Sequence, residues 1–165
     1  MVVAMPEPDR AVLLRRDRIV KALSAIVPGE GVIASEAAMR PYETDGLTAY
    51  RALPMVVVLP STTEQVSRIL AYCHGEGIKV VPRGAGTSLS GGALPLTDGV
   101  LLGMAKFNRI REIDYDNRVV VAEPGVTNLA VTQAVEQRGF YYAPDPSSQI
   151  ACTCLLYTSP SPRDS

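Results

Sequence analysis

The chain has 165 residues, of which 47% are hydrophobic and 20% are charged, and its formal net charge is −1. This balance is typical of one soluble globular domain or of part of a larger one. A nearly neutral chain offers no broad basic surface, so nucleic-acid binding is excluded as its main function.

The cysteines and the apolar runs restrict the chain further. Cys73, Cys152 and Cys154 form an odd set, and Cys152 and Cys154 are separated by a single residue without a nearby histidine. That spacing is a weak metal signal, and we predict no metal site. No apolar run approaches the roughly 20 residues of a membrane span. The start of the chain lacks the pattern of a secretory signal, so we expect a reduced, cytoplasmic protein.

Residues 1–50 are predicted to be a helical lead-in. Residues 9–27 predict a helix ended by Pro28-Gly29, because apolar residues recur at helical spacing; they are Val12, Leu13, Ile19, Leu23 and Ile26. The stretch Ser35–Tyr42 predicts one more helical turn with Ser35 as its cap, and a polar loop follows. In that loop, Asp45 and Arg51 are predicted to be structural residues rather than substrate contacts.

Strands and helices alternate from Met55 onward. Met55–Pro60 is a β-branched run that predicts a buried strand. Residues 61–77 predict a helix with Ser61 and Glu64 as a capping box, with Cys73 on its apolar face as a small core residue. Ile78–Pro82 and Gly99–Met104 predict two further strands.

The remaining elements are a hairpin and a helix. Residues 110–126 predict two strands around an Asp116-Asn117 turn, and residues 127–138 predict a helix that ends at Gly139. The order strand, helix, strand, strand, hairpin, helix predicts an α+β sheet with helices over it. Tyr141 and Tyr142 are predicted to pack in the core rather than to stack on a ligand.

One stretch between two predicted strands is unusually rich in glycine: "VVPRGAGTSLSGGALPL", residues 80–96. Glycines allow positive φ and close approach of a ligand, and successive unpaired N–H groups form a concavity that holds phosphate oxygens. The stretch lacks the Gly-Lys-Ser/Thr ending of a P-loop. It also leads into a strand rather than an amphipathic helix, which argues against a nicotinamide dinucleotide fingerprint. These residues alone leave open a phosphate-binding loop or a plain surface loop.

Two other stretches have a similar character. "AEPGVTNLAVTQAV" places Pro124-Gly125 between a strand and a helix, and "YYAPDPSSQIACT" is rich in turn residues and hydroxyls. We expect the three loops to converge on one extended ligand.

In this order and spacing, the three stretches resemble the FAD-binding domain of vanillyl-alcohol-oxidase-type flavoproteins. Within that family they are most similar to the FAD-binding subunits of glycolate oxidases, which are relatives of D-lactate dehydrogenases. The resemblance covers residues 41–153. It implies an incomplete α+β FAD-binding domain, of which residues 51–153 would be the first part, and an amino-terminal fragment that is inactive alone.

The resemblance also implies which residues contact FAD in an extended form. A continuous loop would wrap the pyrophosphate: Arg83, Gly84, Ala85, Gly86, Thr87, Ser88 and Leu89. Pro146, Ser147 and Ser148 would lie along the flavin, and residues 123–126, with Gly125, would shape the adenine end. Arg83 has two open roles, to neutralise phosphate or to pair with a carboxylate. His74, the only histidine, is predicted to be a solvated helix end and not a flavin attachment point.

The implied function is that of an FAD-dependent 2-hydroxy-acid dehydrogenase, with glycolate as the first substrate. D-lactate or another D-2-hydroxy acid is the alternative, and a non-catalytic nucleotide- or phosphate-binding module is the second. The catalytic residues would lie outside this chain. The implied partners are the other subunits of a glycolate oxidase complex and a non-nicotinamide electron acceptor, and such subunits would allow attachment to the inner face of the membrane.

Residues 154–165, "CLLYTSPSPRDS", differ in composition from the preceding chain, since a short apolar patch is followed by serine, proline and charged residues. Cys154–Asp164 resembles a transposon-end sequencing adapter translated in frame, so we expect this tail to be non-native. The alternative is a disordered Ser/Pro-rich terminus.

Overall fold

The structure is a computed structural model that describes residues 5–144 and 148–153. Its helices are α1 (Arg10–Leu13), α2 (Arg16–Ile26), α3 (Glu36–Met39), α4 (Thr63–Glu76) and α5 (Asn128–Val135). Its strands are β1 (Val32–Ile33), β2 (Val56–Val58), β3 (Lys79–Arg83), β4 (Gly99–Gly103), β5 (Ile110–Asp114) and β6 (Val119–Ala122). The predicted tail at 154–165 lies outside the described residues.

Four strands form the main sheet, in the order β1-β2-β4-β3. β2, β4 and β3 run parallel, and β1 is antiparallel to β2. The connection from β2 to β3 is the helix α4, whereas β3 is joined to its neighbour β4 by the glycine-rich stretch without a helix. Pro82 is tolerated because β3 lies at the edge of the sheet, where a missing N–H breaks no ladder.

The sheet is covered on both faces, which explains its continuous apolar strands. On one face α2 and α4 pack over alternate residues of β2 and β4; the buried members are Ile19, Leu23, Ile69, Cys73, Val56, Val58, Val100 and Leu102. On the other face Val57 and Leu101 pack against Met39 and Val81. The lead-in therefore shares the core and, through β1, the sheet.

Two local predictions are corrected by the structure. The helix predicted over 9–27 is interrupted at Leu14-Arg15, where the Arg15 N–H bonds to the Val12 carbonyl three residues back and so closes a tighter turn. The cap of α4 is Thr62 and not Ser61, because the Thr62 hydroxyl accepts from the Gln65 N–H. The Gln65 side chain accepts from the N–H of Ser61, the residue before the cap, so Thr62 and Gln65 hold the start of the helix instead of the predicted Ser61 and Glu64.

The hairpin of β5 and β6 forms a separate two-stranded sheet beside α5. The predicted turn is present, and Asp114 fixes it by accepting from the backbone and the side chain of Asn117 at 2.9 and 2.6 Å. Gly139 closes the helical region in the left-handed conformation, as expected for a helix C-terminus. These elements confirm the predicted α+β class.

Candidate cofactor site

The glycine loop, residues 84–92, begins where β3 ends. Arg83 pairs with Gly103 at the last position of the β3–β4 ladder, so both strands reach the same edge of the sheet. In open α/β sheets, ligands bind beyond the carboxyl ends of the parallel strands. The loop therefore lies where such a sheet places its ligand.

The first half of this loop has free donors. Within the described part of the chain, no backbone N–H group of residues 84–89 donates a hydrogen bond to a protein acceptor, and the Ser90 N–H donates to Ser88 Oγ at 3.3 Å. Gly86 adopts a φ of +74°, which re-aims the backbone in the middle of the run. A run of unpaired N–H groups around a left-handed residue suits phosphate oxygens. The loop therefore fits the pyrophosphate of a dinucleotide such as FAD.

The side chains of this loop offer fewer groups to a bound phosphate than its backbone does. Leu89 is 75% exposed and makes an apolar contact available at the loop surface. Thr87 and Ser88 are partly buried, and their carbonyl oxygens face Gly46.

The Arg83 side chain lies on the protein side of the loop and not on the side that a ligand would approach. The residue is 8% exposed, and its Nη1 donates to the Tyr42 carbonyl oxygen at 3.1 Å. A Cβ built on Gly86 would lie 2.3 Å from Arg83 Nη2, so the guanidinium occupies the space where a side chain at 86 would go. Burial lowers the pKa of Arg83, while the negative charge of Asp45 acts to raise it.

A second segment, residues 42–47, supports the loop from below. The Leu47 N–H donates both to the Ser88 carbonyl at 3.1 Å and to Asp45 Oδ1 at 2.9 Å. A Cβ on Gly46 would lie 2.8 Å from the Ser88 carbonyl oxygen and 2.9 Å from that of Thr87. Asp45 is 5% exposed, and its Oδ2 has no hydrogen-bond partner in the part of the chain that the structure describes. The sequence predicted only a structural loop here, because no local pattern shows that residues 45 and 88 meet.

Gly125 is surrounded by backbone of the segment that follows β4. Its N–H donates to the Phe107 carbonyl at 2.7 Å, and a Cβ would lie 2.5 Å from the Met104 carbonyl oxygen. Glycine is thus required here by the chain's own packing. The predicted contact of Gly125 with FAD stays a prediction.

Glu123, two residues before this glycine, is a buried carboxylate that accepts several hydrogen bonds. It accepts from the Arg111 side chain at 2.8 Å and from the Arg109 backbone N–H at 3.0 Å. These hydrogen bonds, that from Arg111 first, lower the pKa of Glu123. The carboxylate therefore holds the start of the hairpin next to the entry to α5.

The last described segment, residues 148–153, contacts the start of α5. The Asn128 N–H donates to the Cys152 carbonyl at 2.9 Å, and Thr153 bridges to Thr127. The Ser148 carbonyl closes a turn by accepting from the Cys152 N–H at 2.7 Å. Pro146 and Ser147 lie outside the described residues.

Two buried oxygens in this region, Asn128 Oδ1 and Thr153 Oγ1, have no hydrogen-bond partner among residues 5–144 and 148–153. Buried polar atoms are almost always paired, so unpaired ones suit a ligand that supplies hydroxyl or amide donors. The region is therefore compatible with a polar ligand such as FAD.

A cavity of about 390 Å³ lies apart from the loop, between the hairpin and α5. Apolar and aromatic residues dominate its wall, among them Val120, Val131, Tyr115 and Phe140. Tyr141, predicted to pack in the core, lines this cavity and is 75% exposed, so that prediction is wrong. Residues 141–144 form no helix or strand that would bury this side chain.

His74 lies at the other end of the sheet from the loop. It is exposed in the last turn of α4, just before β3 begins, whereas the loop follows the end of β3. Within residues 5–144 and 148–153, no three His, Cys, Asp or Glu side chains are grouped to hold a metal ion. In the same residues, no helix is long and apolar enough to span a membrane.

Comparison with known proteins indicates FAD as the ligand, as the geometry of the loops does. Residues 54–155 match the sequence model of a protein family that is described as an FAD-binding domain. The chain is 52% identical over 150 residues to the glycolate oxidase subunit GlcD of Escherichia coli K12, covering 91% of this chain and 29% of that protein. It is 41% identical over 110 residues to the D-lactate dehydrogenase of Archaeoglobus fulgidus, covering 66% of this chain and 25% of that one.

A solved structure of an alkyldihydroxyacetonephosphate synthase superposes with a TM-score of 0.73 at 18% identity, covering 93% of this chain and 29% of that one. At that identity the likeness shows the fold alone, and it confirms the predicted vanillyl-alcohol-oxidase type of fold. The chain spans less than a third of the length of the curated relatives named above. The family match covers most of the chain and confirms FAD as the predicted cofactor, and the chain belongs to the FAD-binding domain family.

Proposed function

We propose that this chain binds the FAD of a 2-hydroxy-acid dehydrogenase whose substrate is glycolate. The observation that carries the proposal is the run of free N–H groups at residues 84–89, held open at the carboxyl end of β3. The substrate class is supported by the 52% identity to a glycolate oxidase subunit over 91% of the chain.

The chain's own contribution is binding and orientation. The N–H groups of 84–89 would donate to the pyrophosphate oxygens, and the glycines would let those oxygens approach the backbone closely. The redox chemistry at this site would be that of FAD when bound, which is acceptance of a hydride from the α-carbon of the substrate. None of the described side chains near the loop is placed as a base for the substrate hydroxyl, since Asp45 is buried beneath it.

The proposal includes partners and a location. A subunit of glycolate oxidase works with other subunits, so this chain would join partner subunits and pass electrons to an acceptor other than nicotinamide. A cytoplasmic location follows, with attachment to the inner face of the membrane through those partners as the second possibility.

A second candidate substrate is D-lactate, favoured by the 41% identity to a D-lactate dehydrogenase over 66% of the chain. The two candidates share the cofactor site and differ in the residues around the substrate. Fold similarity does not choose between substrates.

The test uses a full-length protein that carries this sequence, produced with its neighbouring subunits. We expect a yellow protein with flavin absorbance that reduces a dye such as dichlorophenolindophenol with glycolate. Parallel assays with D-lactate and L-lactate rank the substrates by kcat/KM. A higher kcat/KM with D-lactate would identify D-lactate as the substrate in place of glycolate. A colourless protein that binds added FAD no better than ADP would indicate a nucleotide-binding module instead of an enzyme.

A further inference from the structure

The position of Arg83 is unusual for a cation beside a phosphate site. Its guanidinium is buried, donates to the Tyr42 carbonyl, and lies 5.8 Å from the centre of the Tyr42 ring. The groups that fix it therefore come from the segment below the loop and not from the ligand side.

The space around Gly86 shows how closely the guanidinium and the loop fit. A Cβ at 86 would lie 2.3, 2.5 and 2.6 Å from Nη2, Nε and Cζ of Arg83, so the guanidinium lies directly against the loop backbone at Gly86. An arginine is suited to this role because its guanidinium is planar and rigid, whereas a lysine ammonium is a compact point charge on a flexible stem.

The segment 42–47 completes the support. Leu47 bonds to the Ser88 carbonyl, and Gly46 lies backbone to backbone against Thr87 and Ser88. No carboxylate of the described residues lies within ion-pair distance of Arg83. The acidic group that compensates the charge of Arg83, at longer range, is the buried Asp45. Removing either charge would leave the other buried without compensation.

We propose that Arg83, Asp45 and Gly46 are positioning residues that set the shape of the loop at 84–89 before FAD binds, and that Arg83 is not itself a phosphate ligand. The proposal rests on the proposed role of this loop in binding the FAD pyrophosphate. It assigns to residues 42–47, about forty positions upstream, a part in cofactor affinity.

The experiment compares five variants of a full-length protein that carries this sequence: Arg83→Lys, Arg83→Met, Asp45→Asn, Gly46→Ala and Gly75→Ala. Two readouts are made on each. The first is hydrogen–deuterium exchange of the peptide spanning 84–92 in the apoprotein, and the second is FAD affinity by flavin fluorescence quenching. Gly75→Ala is the matched control for Gly46→Ala, because a Cβ at 75 would meet no atom of the described residues within 4 Å.

We expect Gly46→Ala and both Arg83 variants to weaken FAD binding at least tenfold and to speed exchange in the loop, while Gly75→Ala changes neither. Asp45→Asn keeps the shape of the side chain and an oxygen for the Leu47 N–H, so it should fold and show a smaller change in the same direction. If a phosphate needed only a cation at position 83, Arg83→Lys would restore wild-type affinity and the loop would exchange at its wild-type rate. That result, or a Gly46→Ala protein with wild-type exchange and affinity, overturns the proposal.

The two proposals fail in different ways. Exchange of the loop in the apoprotein needs no FAD, so it judges the positioning role even if the wild-type protein does not bind flavin. A wild-type protein without flavin affinity would overturn the proposed function. Unchanged exchange in all four site variants would overturn the positioning role alone.

Discussion

Gly86→Ala is the sharpest single test of the loop geometry. Residue 86 has a φ of +74°, and the new Cβ would lie 2.3 Å from Arg83 Nη2, a contact shorter than the 3.0 Å limit of real Cβ atoms. The guanidinium would have to leave its place under the loop, and with it the hydrogen bond to the Tyr42 carbonyl.

The size of the effect follows from two terms. A left-handed conformation costs a non-glycine residue about 1–2 kcal/mol. Loss of a hydrogen bond from a charged donor costs about 1.5–3 kcal/mol. The variant loop avoids both costs by adopting a different conformation in the apoprotein. FAD binding must then restore the native conformation, so both costs reduce the affinity for FAD. We therefore expect a loss of about 3–4 kcal/mol in binding, which is between two and three factors of ten in Kd, since about 1.4 kcal/mol is tenfold.

The assay is an FAD titration of the apoprotein, followed by flavin fluorescence quenching in a full-length protein that carries this sequence. Gly91→Ala is the matched control, because Gly91 lies in the same loop with a φ of +77° while, among the described residues, its Cβ would meet only Leu47 Cδ2, at 3.8 Å. It should lose only the backbone term, about 1–2 kcal/mol. Equal affinities for the two variants would refute the reasoning, because they would show that the contact with Arg83 has no effect.

Three further expectations concern the sheet and the helix α4. Burial raises the pKa of the Cys73 thiol above its usual value, to about 11, so stability should fall as pH rises from about 9 to 11, and thermal melts of Cys73→Ala should lack that fall. Burial would raise the pKa of Asp98, but hydrogen bonds from Lys79 Nζ and the Asp9 N–H, at 2.7 and 2.8 Å, outweigh it and lower the pKa; stability should be lost as pH falls below about 4, and melts of Asp98→Asn should show a flatter profile there. Acid precipitation should release all FAD, because His74 precedes β3 while the loop follows it; a flavin mass on the His74 peptide would contradict this.

The main elements could be predicted because their signals are local. The apolar runs of β2, β3 and β4 and the glycine stops at 77 and 139 lie within one or two residues of their predicted bounds. The details that failed depend on choices between near neighbours: Thr62 rather than Ser61 caps α4, and the first helix is interrupted at Leu14.

The candidate site was predictable in part for the same reason. The glycine loop is visible as a pattern, because backbone that must approach a ligand requires residues without a side chain. The support from Asp45 and Gly46 was not visible, since the contact with Ser88 joins segments far apart in the chain and exists only after the sheet has formed. The exposed side chain of Tyr141 shows the converse error, because an aromatic pair was assigned to the core without an element to bury it.

A chain of backbone contacts links the glycine loop to the other predicted loops. The Met104 N–H donates to the Arg83 carbonyl at 2.9 Å, at the point where the loop begins. Gly125 then lies against the Met104 carbonyl oxygen, and its own N–H bonds to Phe107. Helix α5 starts three residues later, at Asn128, whose N–H donates to the carbonyl of Cys152. A side chain at 125 would separate these parts, so that glycine serves the site by bringing its loops together, whether or not it contacts FAD.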